Sequence, residues 1–394
     1  MKSKSQILFI ALIFSAYCCS PKGDGSVSIV DVGGNKVAVF SLKELSSKIE
    51  TIPLSNLIEG CEMVKLDNRD EALLGRRCIT TVSEKYIGIR ADGQPYKLFD
   101  RTGKFICNVG AIGRGPGEYT ISVYDDIIDD KNEIIYIAPF MGDKILVYNT
   151  SGKFLKNIDS PNRLQKPKLY LSNNILSVVH MPFQNDKAMG LQFDVNTGQV
   201  VRELAPPSHL ITQSFDGEIF NTRNTPTVFD FVHTSSDTLY HFDIKNNKIL
   251  PVFTISYTGS EQTYKQYIQL NKELFMANVS FLVTDTETGR SYYGNNKLVV
   301  TNMKSKTSSY ANVVNDYFGG FSVPSSVVTF RNGYWVHNNS PEQLKANIEK
   351  RLGESSCTEN EKQALTKLLL TINEEDNNVV FIGKLKSGVE ANLW

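Results

Sequence analysis

Apolar positions in this chain fall into short runs broken by glycine, asparagine and aspartate. The clearest case is YKLFDRTGKFICNVGAIGRGPGEY, residues 96–119. Tyr96, Leu98 and Phe99 carry one run, and Phe105, Ile106 and Val109 carry the next. Between them Asp100, Arg101, Thr102 and Gly103 make a turn that ends in a residue able to take positive φ, so the stretch reads as a β-hairpin. The pattern returns as ILVYNTSGKFLKNI at 145–158, LQFDVNTGQVVREL at 191–204 and, more loosely, LYHFDIKNNKILPVF at 239–253. Anchored on Phe99, Tyr148, Phe193 and Phe242, the copies stand 49, 45 and 49 residues apart. A recurring unit of roughly 40–50 residues built only of strands predicts a β-propeller.

The runs between these hairpins extend the same reading. SIVDV (28–32), residues 52–54, CEMVKL (61–66), residues 73–82 and YIGIR (86–90) read as strands of a first unit, with helix or loop across 41–49. The units that follow start near Tyr86, Ile127, Leu169 and Ile219, and a sixth runs from Ser280. Residues 261–275 read as a helix, with Tyr264, Tyr267, Ile268 and Leu274 near one face. Near the end, capping boxes at Ser340/Gln343 and Thr358/Glu361 open two helices. VVFIGKLK (379–386) supplies a last strand, expected to share a blade with the early ones so that closure leaves no bare sheet edge. The fold expected is all-β: a six-bladed β-propeller over 27–394 with a small C-terminal helical insertion at 341–373.

The first residues are different. Lys2 and Lys4 precede the apolar run ILFIALIFSA, which is 10 residues long, and then Tyr17, Cys18, Cys19 and Ser20. A run of that length cannot span a bilayer that needs roughly 20 residues, and with its basic start it reads as a secretory signal. The CCS ending resembles the lipobox of bacterial lipoproteins, whose cysteine is acylated and becomes the mature N-terminus. Cys19 fits because a small residue precedes it, whereas Cys18 follows bulky Tyr17. Residues 1–19 are therefore expected to be signal and lipobox, and PKGDGS within 20–26 a flexible tether. The address this implies is the cell envelope, as an outer-membrane lipoprotein held through an N-terminal lipid anchor.

Composition narrows the function classes. Hydrophobic content of 41% with 21% charge belongs to a folded chain. The 42 basic and 42 acidic residues cancel, and removing the first 18 residues leaves 40 against 42. With no basic excess to gather phosphates, nucleic acid is not an expected partner. Abundant Tyr and Phe suit a strand-rich core, while the scarcity of Trp (2) weakens a sugar-stacking reading.

GAIGRGPGEY invites comparison with a phosphate loop, but no helix start or Lys-Ser/Thr follows its glycines. It reads first as a turn between blades, and second as a ligand or partner site built from Arg114, Glu118 and Tyr119. The five histidines, His180, His209, His233, His241 and His337, show no metal-ligand spacing, and no Gly-x-Ser-x-Gly elbow appears. No catalytic residue, metal or cofactor is expected from the sequence. Cys61, Cys78, Cys107 and Cys357 admit one disulfide, with Cys61 and Cys78 as the first choice, or four separate thiols.

With these residues in hand, the chain resembles the six-bladed β-propeller lipoproteins of Bacteroidetes, which are related to NHL-repeat propellers. KLFDRTGKFICNVG, GRGPGEY, IYIAPFMGDKILVYNTSGKFLKNI and NNVVFIGKLK carry the resemblance, which covers most of the chain from Ile52 onward. It implies a non-enzymatic binding or scaffold role, accessory to glycan uptake or attached to an outer-membrane protein partner. The alternative is a propeller enzyme, a polysaccharide lyase or glycosidase, with its site at the channel mouth. Convergent ionisable groups of perturbed pKa at that mouth would favour the enzyme, and a mixed-polarity mouth the binder.

Overall fold

Each hairpin of the repeat becomes the third and fourth strands of a blade. This computed structural model describes residues 27–388, except 33, 42–44, 46–48, 76, 121, 214, 216, 235–236, 257–262 and 326–327. The signal segment, Cys19 and the tether lie outside the described residues. In blade I the strands Ile79–Val82, Tyr86–Arg90, Tyr96–Asp100 and Phe105–Val109 pair antiparallel in chain order. Blades II and III repeat that order over residues 123–159 and 168–204. Blade IV spans 219–256, blade V 263–323 and blade VI 330–385, which completes a six-bladed propeller. The four anchor aromatics of the repeat sit on the third strands of blades I to IV and are all buried.

The early strands do not make a first blade of their own. The hairpin of Val27–Val32 and Asn35–Ser41 lies on the outer edge of blade IV, its second strand parallel to Lys248–Ser256. Ile49–Pro53 lies parallel on Thr307–Asn315 of blade V. Ile58–Lys65 then pairs antiparallel with Val379–Leu385 as the outermost strand of blade VI, which closes the ring as expected. The amino-terminal chain is thus a belt over three consecutive blades, and it satisfies edge groups that would otherwise be bare. The expected helix at 261–275 is also corrected: Thr263–Gln269 is the first strand of blade V and pairs with Leu274–Thr284. Its pattern misleads because Lys265 and Gln269 are buried among the aromatics, Lys265 through an ion pair to Asp237 at 2.8 Å.

Six apolar clusters fill the seams between neighbouring blades. Between I and II, for example, Leu98 and Val109 meet Ile135, Ile137 and Leu146. The helices α1 (Pro341–Leu352) and α2 (Glu359–Leu369) push Leu344, Ile348, Leu365 and Leu368 into the cluster shared by V and VI. Ser340 caps the first, and Thr358 with Glu361 forms a full capping box on the second. The turn glycine of blade I also serves a seam. Gly103 has φ +90°, and a Cβ there would stand 2.2 Å from the carbonyl oxygen of Lys65 on the closing strand.

Cys61 and Cys78 are not bonded, and Cys107 and Cys357 are free as well. The reason is radial. Cys61 lies on the outermost strand of blade VI, whereas Cys78 immediately precedes the innermost strand of blade I.

Candidate functional site

The first strand of each blade lines the central channel, and polar links pass from blade to blade around the ring. Arg90 of blade I donates to the Tyr124 carbonyl of blade II. Asp125 of blade II accepts from Leu169 N of blade III at 2.7 Å, and Asn221 of blade IV donates to the Leu169 carbonyl at 3.2 Å. Asn224 donates to the carbonyls of Gln269 in blade V (2.8 Å) and Phe330 in blade VI (2.9 Å). Asn338 of blade VI donates to Thr80 Oγ1 of blade I at 2.9 Å.

An ion cluster plugs the middle of this channel. Asp125 and Asp126, both fully buried, are the third and fourth residues of the first strand of blade II, Val123–Asp129. Arg331 donates to Asp125 Oδ1, and Arg90 Nε stands 3.0 Å from Asp126 Oδ1. Arg223 Nη1 lies 3.9 Å from Asp125 Oδ2 and donates to the Asp126 carbonyl at 3.0 Å. Tyr96 donates to Asp126 Oδ2 at 2.9 Å, and its hydroxyl pKa is pushed well up by burial and by that carboxylate. Burial alone would raise the Asp125 carboxyl, but Arg331, Arg223, Lys168 and Arg90 together hold it below its usual value. Burial brings Arg223 down to about 10, with Arg331 adding to the effect.

Above the plug, at the end where the first strands begin, the channel opens into a cavity of about 320 Å³. Its charged lining is Arg90, Lys168 and Arg331 against Asp125. Phe220, Asn221, Gln266 and His337 complete the walls. Lys168 Nζ sits 4.4 Å above the Tyr124 ring and 3.9 Å from Glu218 Oε1, and burial lowers its pKa to about 8. Tyr124 donates its hydroxyl to Glu218 Oε2, and burial and that carboxylate push its pKa up. Lys166 Nζ stands 3.9 Å from the same carboxylate. Burial takes His337 down to about 4, so it is uncharged at neutral pH. Three buried polar atoms at the cavity have no partner among the described residues: Arg331 Nε, Asn221 Oδ1 and His337 Nδ1.

Arg114, Glu118 and Tyr119 are brought together elsewhere, in a rim hollow of about 460 Å³ between blades I and II. Tyr119 is buried, donates to the Val109 carbonyl at 2.9 Å and accepts from Tyr96 N at 2.7 Å. Glu118 accepts from Gly115 N at 2.7 Å, while Arg114 is exposed. Phe140, which lines the hollow, packs its ring 5.3 Å from that of Tyr124. The sequence reading missed Arg90, Asp125, Lys168, Asn221 and Arg331. The one available signal was a charged residue inside or bounding an otherwise apolar inner strand, as in YIGIR, VYDDIID and KLYLS.

The ring and the ion cluster within its channel define a closed six-bladed propeller. The chain belongs to the family known as domain of unknown function DUF4934, whose pattern matches residues 37–384. In fold it is similar to a Bacteroides fragilis protein inferred to be exported, at 15% identity and TM-score 0.59, covering 89% of this chain and 99% of that one. A member of the DUF4221 family from Bacteroides vulgatus aligns at 12% identity and TM-score 0.47, over 84% and 98% of the two chains. None of the curated proteins compared with the chain matches it.

Proposed function

We propose that this protein is a non-enzymatic binding propeller of the cell envelope, with its ligand site at the channel mouth above the Asp125 cluster. The observation that carries this is the commitment of the ionisable groups. Asp125 and Asp126 are used by three arginines, Tyr96 and a backbone N–H, and Glu218 is used by Tyr124 and two lysines. What remains open to a ligand is a preformed cavity of mixed polarity, the usual make-up of a binding pocket. Anchoring through Cys19 rests on the leader and the CCS motif, and the exported character inferred for the Bacteroides fragilis protein is in keeping with it. The hollow holding Arg114, Glu118 and Tyr119 would contact the part of a glycan or protein partner that extends beyond the mouth.

The enzyme reading draws on one feature, a lysine brought down to about 8 beside a tyrosine. Against it, the Tyr124 proton is held on the hydroxyl by burial and by Glu218, which disfavours the phenolate that a base would need. A glycan-array screen of the purified protein, paired with capture of partners from native envelopes, tests the proposal. Saturable binding without bond cleavage is expected, and binding should be lost when Thr329→Trp fills the mouth. Turnover of any bound polysaccharide would replace this reading with the enzyme.

A further inference from the structure

The chemistry of the mouth selects a ligand class, and this step rests on the mouth being the binding site. Around the plug and mouth, five cations (Arg90, Lys166, Lys168, Arg223, Arg331) face three carboxylates (Asp125, Asp126, Glu218). The group is buried or nearly so, and an excess of positive charge in a low-dielectric site favours an incoming anion. Arg331 Nε is a buried donor with no partner, and guanidinium edges match planar carboxylates. The elements at the mouth are strands, so among the described residues no helix N-terminus offers the ring of N–H donors that a phosphate would use.

The walls add a second requirement. Phe220 and Tyr264 stand edge to face at 6.1 Å, and Tyr264 meets Tyr293 at 5.6 Å. Tyr293 comes from the long hairpin of Leu274–Thr284 and Ser291–Asn302, whose tip projects from the same end of blade V as the mouth. Of these rings Phe220 lines the cavity, beside a set of neutral polar groups: Asn221, Gln266 and uncharged His337, two of which carry unpartnered atoms. Flat apolar faces next to neutral donors and acceptors suit the CH face and hydroxyls of a pyranose ring. At about 320 Å³ the cavity admits a ligand of one or two such rings.

We infer that the mouth binds a carboxylated sugar, its carboxylate held between Arg331 and Lys168 and its ring set against Phe220. The test is calorimetric titration of the full-length protein in detergent with trigalacturonate, its neutral methyl ester and a sulfated trisaccharide of similar size. The acid should bind at least tenfold more tightly than the ester or the sulfated sugar, with an affinity that falls as salt rises. Lys168→Gln should weaken the acid about tenfold, measured at a temperature where circular dichroism shows the variant folded. Glu218→Gln should strengthen it, because Lys168 then loses its carboxylate neighbour, whereas mere structural damage would weaken it. Absence of acid binding would overturn the inference, as would a sulfated sugar bound equally well. Equal binding of acid and ester, both lost in Lys168→Gln, would also overturn it while leaving the mouth as the binding site. Cleavage of the acid would overturn the non-enzymatic reading and leave the acid preference standing.

Discussion

Replacing Gly103 with alanine tests how the ring is shut. The residue closes the hairpin of blade I at φ +90°, where an L side chain costs about 1–2 kcal/mol. Its missing Cβ would lie 2.2 Å from the Lys65 carbonyl oxygen and 2.9 Å from Val64 Cγ1, both on the closing strand of blade VI. Backbone atoms cannot swing away as a flexible side chain could, so the overpacking adds about 1–3 kcal/mol. The unfolded chain loses some freedom on gaining a Cβ, which offsets about 0.4–1 kcal/mol. The net loss expected is about 1–5 kcal/mol. Gly198 is the internal control: it ends the corresponding hairpin of blade III at φ +74° and has nothing within 4 Å of its would-be Cβ. Gly198→Ala should therefore lose about 1 kcal/mol or less, from strain alone. Urea unfolding followed by far-UV circular dichroism, and by the emission of fully buried Trp335, compares the two variants. If Gly103→Ala falls within about 0.5 kcal/mol of Gly198→Ala, the turn does not hold the seam and the argument fails.

Four further outcomes follow from the same physics. Arg331→Met leaves Asp125 buried with less compensation and should destabilise the fold by about 3–5 kcal/mol, with part of that recovered on adding Asp125→Asn, as read by chemical unfolding of the single and double variants. His337 has a folded pKa of about 4, below the unfolded value of about 6.5, so its contribution is intact above 6.5 and is lost as pH falls toward 4; His337→Phe should flatten that limb of a stability–pH curve. Burial lifts the thiols of Cys61 to about 12 and of Cys78 and Cys107 to about 11, so maleimide labelling should be slow in the native protein and rapid in urea, and mass analysis should find no bond between Cys61 and Cys78. Cys19→Ser should release the protein from membranes into the soluble fraction, and retention there would rule out that anchor.

The hairpins were legible because Phe99, Tyr148, Phe193 and Phe242 are large, buried and evenly spaced, and because Asp100, Asn149 and Asp194 accept backbone N–H bonds in the turns that follow. Closure by the last strand was legible too, since VVFIG is too apolar to stand at an edge. The placement of the belt was not. Its strands pair with residues 200 or more positions away through backbone groups, which leave no mark on side-chain pattern. The mouth was hidden for a related reason. Arg90, Asp125, Lys168, Asn221 and Arg331 come from five different blades, one residue from each, and only closing the ring brings them together.

The belt also sets an order of events. Lys65 waits for Val379, and Ala38 waits for Phe253, so the earliest stretch synthesised finds its partners last. Contacts this remote in sequence form slowly, and until they form the leading segment has only its own local hairpin to hold it. A nascent chain threaded amino-terminus first through a translocation pore would pass as pliable polymer and lock only once its tail had followed.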